Sequence, residues 1–150
     1  MAKKSNTYHL ILKELLLLAA LFSIAYLGSQ NLKLWLGQRA IDQTGFEAIS
    51  LDAALIQAKA ENKLVLVDFA AIWCSTCRKL DTQVLAQPEV KDRIESNYVF
   101  TRLEYESDDV QLFEHYGIQQ FPTLMVLNSD GSELRQLSLT LDPDNFVGQL

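Results

Sequence analysis

The longest uncharged apolar stretch of the chain runs from Leu15 to Leu27. Leu10–Leu12 precede it, so the apolar segment approaches 18 residues, interrupted by Lys13 and Glu14. A transmembrane helix needs about 20 predominantly apolar residues, and long charged side chains near one end can reach the interface. The pattern predicts either a membrane-spanning helix or the apolar core of a signal peptide.

Two interpretations of residues 1–36 are open at this point. An uncleaved anchor would continue towards Trp35, and both Lys33 and Trp35 suit the far membrane interface. A cleaved signal peptide would use Ser23–Ala25 as its small-residue cleavage site. We favour the anchor, because the apolar signal continues past that cleavage site.

After a segment at 37–45 that is polar enough for a linker, the pattern predicts one domain over residues 46–150. Ser50 is suited to cap a helix over Leu51–Glu61. The continuous apolar run Leu64–Val67 is rich in β-branched residues and too short for a helix, so it predicts a buried central strand.

The remaining predicted elements alternate helices and strands and end in a hairpin and a short helix. They are a helix from Cys77 to about Ala86, a short helix from Pro88, a strand over Tyr98–Glu104, a helix opened by Ser107–Asp109 and ended by Gly117, a strand over Thr123–Leu127, a turn at Asn128–Gly131, a strand over Glu133–Leu139 and a helix capped by Asp142. This order predicts an α/β fold with a mixed central sheet flanked by helices.

The net charge of −6 is unevenly distributed. Residues 1–40 carry five basic side chains and one acidic, whereas the rest carries 8 basic and 18 acidic. An acidic domain without a basic stripe argues against nucleic acid as a partner. Three lysines precede the apolar segment, so the positive-inside rule favours an N-terminus in the cytoplasm and a domain on the other side.

The two cysteines of the chain, Cys74 and Cys77, follow the predicted central strand directly. At a helix N-terminus, free N–H groups and the positive end of the helix dipole stabilise a thiolate. Cys74 lies closer to that end and should be the nucleophile, while Cys77, one turn later, can close the disulfide.

Three other uses of the cysteine pair are weighed against reversible dithiol chemistry. A structural disulfide across so short a loop restrains the unfolded chain least. Zinc needs further ligands, and the other soft candidates, His9 and His115, are far apart in the sequence. Covalent haem needs histidine at the position of Arg78. We therefore expect redox-active cysteines, no metal and no cofactor.

Four features of the chain belong together: Trp73-Cys74-x-x-Cys77, Asp68 six positions before the first cysteine, Phe121-Pro122-Thr123, and the order of helices and strands between them. In these features the chain from Phe46 to Leu150 resembles the thioredoxin-like family. In the segments Val84–Val90 and Tyr98–Phe100 it resembles, more narrowly, the C-terminal domains of DsbD-type transmembrane reductant transporters and their anchored relatives. The resemblance implies a thioredoxin-like fold, here preceded by an N-terminal transmembrane helix.

The resemblance also implies roles for single residues. Asp68 would be a buried carboxylate that accepts the Cys77 proton, against the alternative of a surface carboxylate at a strand end, and Arg102 could pair with it. Trp73 would cover the disulfide. Phe121 and Pro122, the latter after a cis peptide bond, would bind an extended substrate strand.

The expected function is a membrane-anchored periplasmic thiol–disulfide oxidoreductase. Ser75-Thr76 between the cysteines lacks the histidine that would favour an oxidant, so we expect a reductase. Its partners would be protein dithiols and disulfides and a DsbD-type transmembrane electron donor, at a bacterial inner membrane. The alternative is an assembly factor or holdase that binds cysteine-containing clients in cytochrome maturation or metal delivery.

Overall fold

Two units make up the chain, which is described here by a computed structural model over residues 3–47, 49–106 and 110–150. The first extends to Trp35 and the second runs from Leu36 to Leu150. Helix α1, Lys3–Thr44, belongs to both. Between Tyr8 and Trp35 nearly all of its side chains are exposed, including a long series of leucines.

Among the described residues, one helix, Tyr8–Thr44, is long and apolar enough to cross a membrane. The helix meets this criterion by its length and apolar composition, and the helix of a signal sequence near the N-terminus meets the same criterion.

The structure differs from the polar linker expected at 37–45, because α1 continues to Thr44. Gly37, Ala40 and Thr44 are buried, at helical spacing, so this last part of α1, which belongs to the second unit, packs within that unit. A Cβ atom at Gly37 would overlap the backbone carbonyl of Ile72, just before Trp73. A stripe of small residues therefore lets the helix approach the loop that carries the cysteines.

The mixed sheet predicted from the sequence is confirmed. The further elements of the chain are α2 (Leu51–Glu61), β1 (Leu64–Ala70), α3 (Ser75–Leu80), α4 (Pro88–Asn97), β2 (Tyr98–Glu104), α5 (Val110–His115), β3 (Thr123–Leu127), β4 (Glu133–Gln136) and α6 (Pro143–Val147). The strand order is β2-β1-β3-β4, with β1 parallel to β2 and antiparallel to β3, and with β3 antiparallel to β4.

Helix α3 continues as a π-helical turn over Asp81–Leu85, where a regular helix to about Ala86 is predicted. The Ala86 N–H donates to the Asp81 carbonyl, five residues back, at 2.8 Å. Strand β4 is shorter than the predicted Glu133–Leu139. The side chain of Gln149 accepts from the Ser138 N–H at 2.7 Å and donates to its carbonyl at 3.1 Å, in place of a strand partner.

The predicted helix caps lie where the sequence places them. Ser50 and Asp142 accept hydrogen bonds from Ala53 N and Asn145 N, and Gly117 has a φ of +64° after α5. The predicted opening of that helix at Ser107–Asp109 lies outside the described residues.

Strand β1 sends its side chains alternately to two cores. Val65, Val67 and Phe69 pack in the core that includes α2, whereas Leu66 packs in the core that includes α4 and α6. Asp68 shares the face of Leu66 because strand side chains alternate. The next position on that face is Ala70, which packs with both cysteines.

Candidate functional site

The two cysteines form a disulfide at the junction of β1 and α3. Cys74 is the N-cap of α3, its Cα lies 5.3 Å from that of Cys77, and its sulfur lies 3.1 Å from the Cys77 N–H. Cys74 is 7% exposed and Cys77 1%. Cys74 is therefore the more accessible of the two to an incoming sulfur atom.

The peptide bond between Phe121 and Pro122 is cis, as the resemblance implies. Pro122 immediately precedes β3, whose first residue pairs with Phe69 near the end of β1. Because β3 runs antiparallel to β1, its start lies at the sheet edge that carries the cysteines. The Cys74 sulfur is 3.8 Å from the Phe121 carbonyl oxygen.

Aromatic side chains flank the disulfide. Trp73 is 47% exposed, its indole N–H donates to the Glu106 carboxylate, and its ring packs edge-on against Phe121. Tyr105, which sequence reasoning missed, packs against Phe121 with ring centroids 5.4 Å apart. Its position just after β2 indicates that it lies near the cysteines, because the parallel strands β1 and β2 end at the same edge of the sheet. We call Trp73, Tyr105 and Phe121 the aromatic face.

A buried ion cluster joins β1, β2 and the π-helical turn that follows α3. Arg102 Nη1 donates to Asp68 Oδ2 at 2.9 Å and to Asp81 Oδ1 at 2.7 Å, and both carboxylates are inaccessible to solvent. The surface position considered for Asp68 is therefore wrong. Arg102 also donates through Nε to Glu104 at 2.5 Å. We call Asp68, Asp81, Arg102 and Glu104 the ion cluster.

Asp81 and Glu104 were missing from the sequence-based site, although each carries a signal. Asp81 lies four residues after Cys77, a spacing that places two side chains on the same side of a helix. Glu104 lies two positions after Arg102 in β2, on the same face of the strand. Asp68 and Asp81 thus approach the level of Cys77 from the strand and from the helix.

The surroundings of the ion cluster raise the pKa values of its three carboxyl groups, which favours their protonated forms. Burial raises the pKa of Asp68, and the Arg102 charge offsets this rise only in part. Burial, followed by the negative charge of Asp68, raises the pKa of Asp81 to about 7, against the opposing effect of Arg102. The pKa of Glu104 is also raised by burial. Three carboxyl groups share one guanidinium, so the cluster holds a proton near neutral pH.

The arrangement is that of thioredoxin-like thiol–disulfide oxidoreductases, in which a central strand leads to a Cys-x-x-Cys pair that faces a cis-proline. A family model described as Thioredoxin-like matches residues 46–129. The chain therefore belongs to the thioredoxin-like family. This match includes β1, both cysteines, the ion cluster and the cis-proline.

Similar proteins include thiol:disulfide interchange proteins. DsbD 2 of Pseudomonas aeruginosa is 34% identical over 97 residues, which cover 63% of this chain and 16% of that protein. DsbD of Salmonella typhimurium is 29% identical over 153 residues, covering 93% of this chain and 26% of that protein. The chain thus spans about a quarter or less of these relatives.

Among solved structures, the oxidised C-terminal domain of Neisseria meningitidis DsbD is similar to this chain. It is 29% identical, with a TM-score of 0.56, and the match covers 69% of this chain and 94% of that domain. The similarity therefore concerns the thioredoxin-like domain.

We predict that Asp81→Asn flattens the dependence of stability on pH. The folded pKa of Asp81, about 7, exceeds its ordinary value of 3.8, so the folded chain binds more protons than the unfolded chain between these values. Asp81 therefore destabilises the fold as pH rises through this window. At pH 7.5 the substitution should raise the free energy of unfolding by on the order of 1 kcal/mol or more.

Urea unfolding of the full chain at pH 4.5 and 7.5 measures the effect. Asp92→Asn, on the exposed side of α4, is the matched control and should change neither value. An Asp81→Asn chain that is less stable than wild type at pH 7.5 would show that an ionised Asp81 stabilises the fold through Arg102.

Proposed function

We propose that this chain is a membrane-anchored thiol–disulfide reductase whose domain lies in the periplasm. The observation that carries the proposal is the asymmetry of the disulfide. Cys74 is the more exposed cysteine and lies next to the Phe121 carbonyl, whereas Cys77 is buried with Ala70 and Ala71 at the end of β1. One cysteine is placed to meet a client and the other to complete the exchange.

In the proposed reaction the Cys74 thiolate attacks a disulfide of a client protein. The client S–S bond breaks, one client sulfur leaves as a thiolate, and the other is bound to Cys74 in a mixed disulfide. Cys77 then gives its proton to the Asp68 carboxylate and attacks Cys74 Sγ. The mixed disulfide breaks, the second client thiolate leaves and takes up a proton, and the Cys74–Cys77 disulfide forms.

The aromatic face and the cis-proline are the proposed client-binding surface. The Phe121 carbonyl and the exposed Trp73 ring lie next to Cys74, where an extended client segment would have to pass. Trp73 supplies a large apolar contact whose indole N–H is already satisfied by Glu106. Phe121 and Pro122 would then contact the client backbone on the other side of the sulfur atom.

The direction and the location are supported by features outside the disulfide. Ser75-Thr76 provides no histidine to stabilise the Cys74 thiolate, which favours a reductant. The exposed apolar side chains of α1 from Tyr8 to Trp35 require a non-aqueous environment, which an inner membrane supplies. A reductant in an oxidising compartment needs electrons from across the membrane, so the proposed donor is of the DsbD type.

Cys77→Ser should convert the chain into a trap for its clients. Without a resolving thiol, the mixed disulfide at Cys74 should persist, and non-reducing electrophoresis followed by mass spectrometry should identify the attached proteins. Cys74→Ser is the matched control and should trap few adducts. Equal trapping by both variants would overturn the assignment of Cys74 as nucleophile.

The same experiment separates the reductase from an assembly factor or holdase. A reductase should lose turnover of a protein disulfide when Cys77 is replaced. A client-binding factor should keep its function in Cys77→Ser, because it needs the fold and not the second thiol.

The wild-type chain, treated with a mild reductant so that its Cys74 thiol is free, also tests the topology. We expect a membrane-impermeant thiol reagent to label Cys74 once the outer barrier is opened and the inner membrane is intact. The labelled protein should stay in the membrane pellet after an alkaline wash. A shortened, soluble protein beginning near Tyr26 would indicate a cleaved signal peptide, and labelling only after lysis would place the domain in the cytoplasm.

A further inference from the structure

A cavity of about 390 Å³ borders the ion cluster. Its walls are the end of α1, the segment that leads into α2, and β2. At about 30 Å³ per molecule, the volume admits on the order of ten waters. Neither the cysteines nor the aromatic face lines it, so the cavity is separate from the proposed client-binding surface.

The ion cluster forms part of the cavity wall. Asp81, Arg102 and Glu104 line the cavity, whereas Asp68 does not. Asp81 Oδ2 is buried and lacks a hydrogen-bond partner among the described residues. A buried carboxyl oxygen without a partner is expensive unless water or a proton satisfies it. Because Asp81 lines the cavity, a water bound there is the partner that this oxygen would take.

Side-chain exposure increases outward along the ion cluster. It is 0% for Asp68, 1% for Asp81, 10% for Arg102 and 17% for Glu104. Asp68 and Asp81 bind the same Arg102 nitrogen at 2.9 and 2.7 Å, so their nearest oxygens are neighbours. The carboxyl groups thus form a series from the buried strand β1 to the wall of a solvent-accessible cavity.

We propose that this cavity is the path by which the Cys77 proton leaves the domain, and that Glu104 exchanges that proton with solvent. The inference rests on the proposed function, in which Asp68 accepts the proton when Cys77 attacks the mixed disulfide. The electron pair left on the Cys77 sulfur forms the bond to Cys74, and the client thiolate departs. The proton passes from Asp68 to Asp81, then through cavity water to Glu104.

The charged groups around the cavity agree with this path. Its charged lining consists of Glu47, Asp81, Arg102 and Glu104, of which only Arg102 is cationic. Three carboxyl groups can each accept a proton. Burial acts to lower the pKa of Arg102, but the neighbouring carboxylates together outweigh burial and raise that pKa, so the guanidinium stays charged. Arg102 therefore orients the carboxyl groups and does not carry the proton.

The path predicts a defect in proton release for Glu104→Gln, measured in single-turnover reactions. The full reduced chain is mixed with a small symmetric aromatic disulfide in weakly buffered solution at neutral pH, and release of the second thiolate reports resolution of the mixed disulfide. Glu104→Gln should resolve at least about tenfold more slowly than wild type. Added imidazole, a small base that can enter from solvent, should restore the rate.

The controls separate proton exchange from a structural role. Glu89→Gln removes an exposed carboxylate from α4 and should resolve at the wild-type rate. Glu104→Asp keeps a carboxyl group and should recover part of the rate. If Glu104 only holds Arg102 in position, imidazole cannot restore the slow variant, and that result would overturn the proposal.

Two further outcomes also count against the proposal. A Glu104→Gln chain that resolves at the wild-type rate in weak buffer would exclude Glu104 as the exchanging group. If Glu47→Gln resolves the mixed disulfide slowly and Glu104→Gln does not, Glu47 and not Glu104 exchanges the proton with solvent.

Asp68→Asn, measured in parallel, separates this proposal from the proposed function. Slow resolution in Asp68→Asn with a normal rate in Glu104→Gln would leave Asp68 as the acceptor and reject the exit path. A normal rate in Asp68→Asn would instead reject the acceptor itself.

Discussion

One guanidinium, that of Arg102, holds two inaccessible carboxylates, and the organisation of the site depends on this interaction. Moving a carboxylate from water into a protein interior costs several kcal/mol unless a partner and hydrogen bonds compensate. Asp68 comes from β1, Asp81 from the π-helical turn after α3, and Arg102 from β2. The shared cation therefore joins the strand that leads to the cysteines, the turn that follows their helix, and β2.

The same interaction gives the site its chemistry. One cation cannot neutralise three carboxyl groups, so the ion cluster retains a proton that it can release or take up. The other face of β1 is sealed by Val65, Val67 and Phe69. In the proposed reaction, proton exchange would take place on the face of β1 that carries Asp68 and Ala70, and the client would meet Cys74 at the sheet edge. The two cysteines differ because their surroundings differ.

The sequence predicts those features that are local along the chain. A buried strand that leads directly to Cys74 and Cys77 needs no distant contact to be recognised, and the capping and turn residues are equally local. The burial of Asp81 cannot be predicted from local sequence, because a carboxylate within a helix ordinarily faces water. It is buried here because Arg102, 21 residues later, pairs with it. Similarly, the small residues Gly37 and Ala40 carry little apolar signal, so their packing is visible only once Ile72 lies opposite.

The most direct test of the account is the reduction potential of the Cys74–Cys77 couple as a function of pH, in the wild-type chain and in Asp68→Asn. Each proton linked to this two-electron couple contributes about 30 mV per pH unit. If the ion cluster exchanges a proton with Cys77, the slope of the wild-type curve should change by up to about 30 mV per pH unit near neutral pH, and Asp68→Asn should lack this change. Parallel curves for the two proteins from pH 5 to 9 would contradict the account.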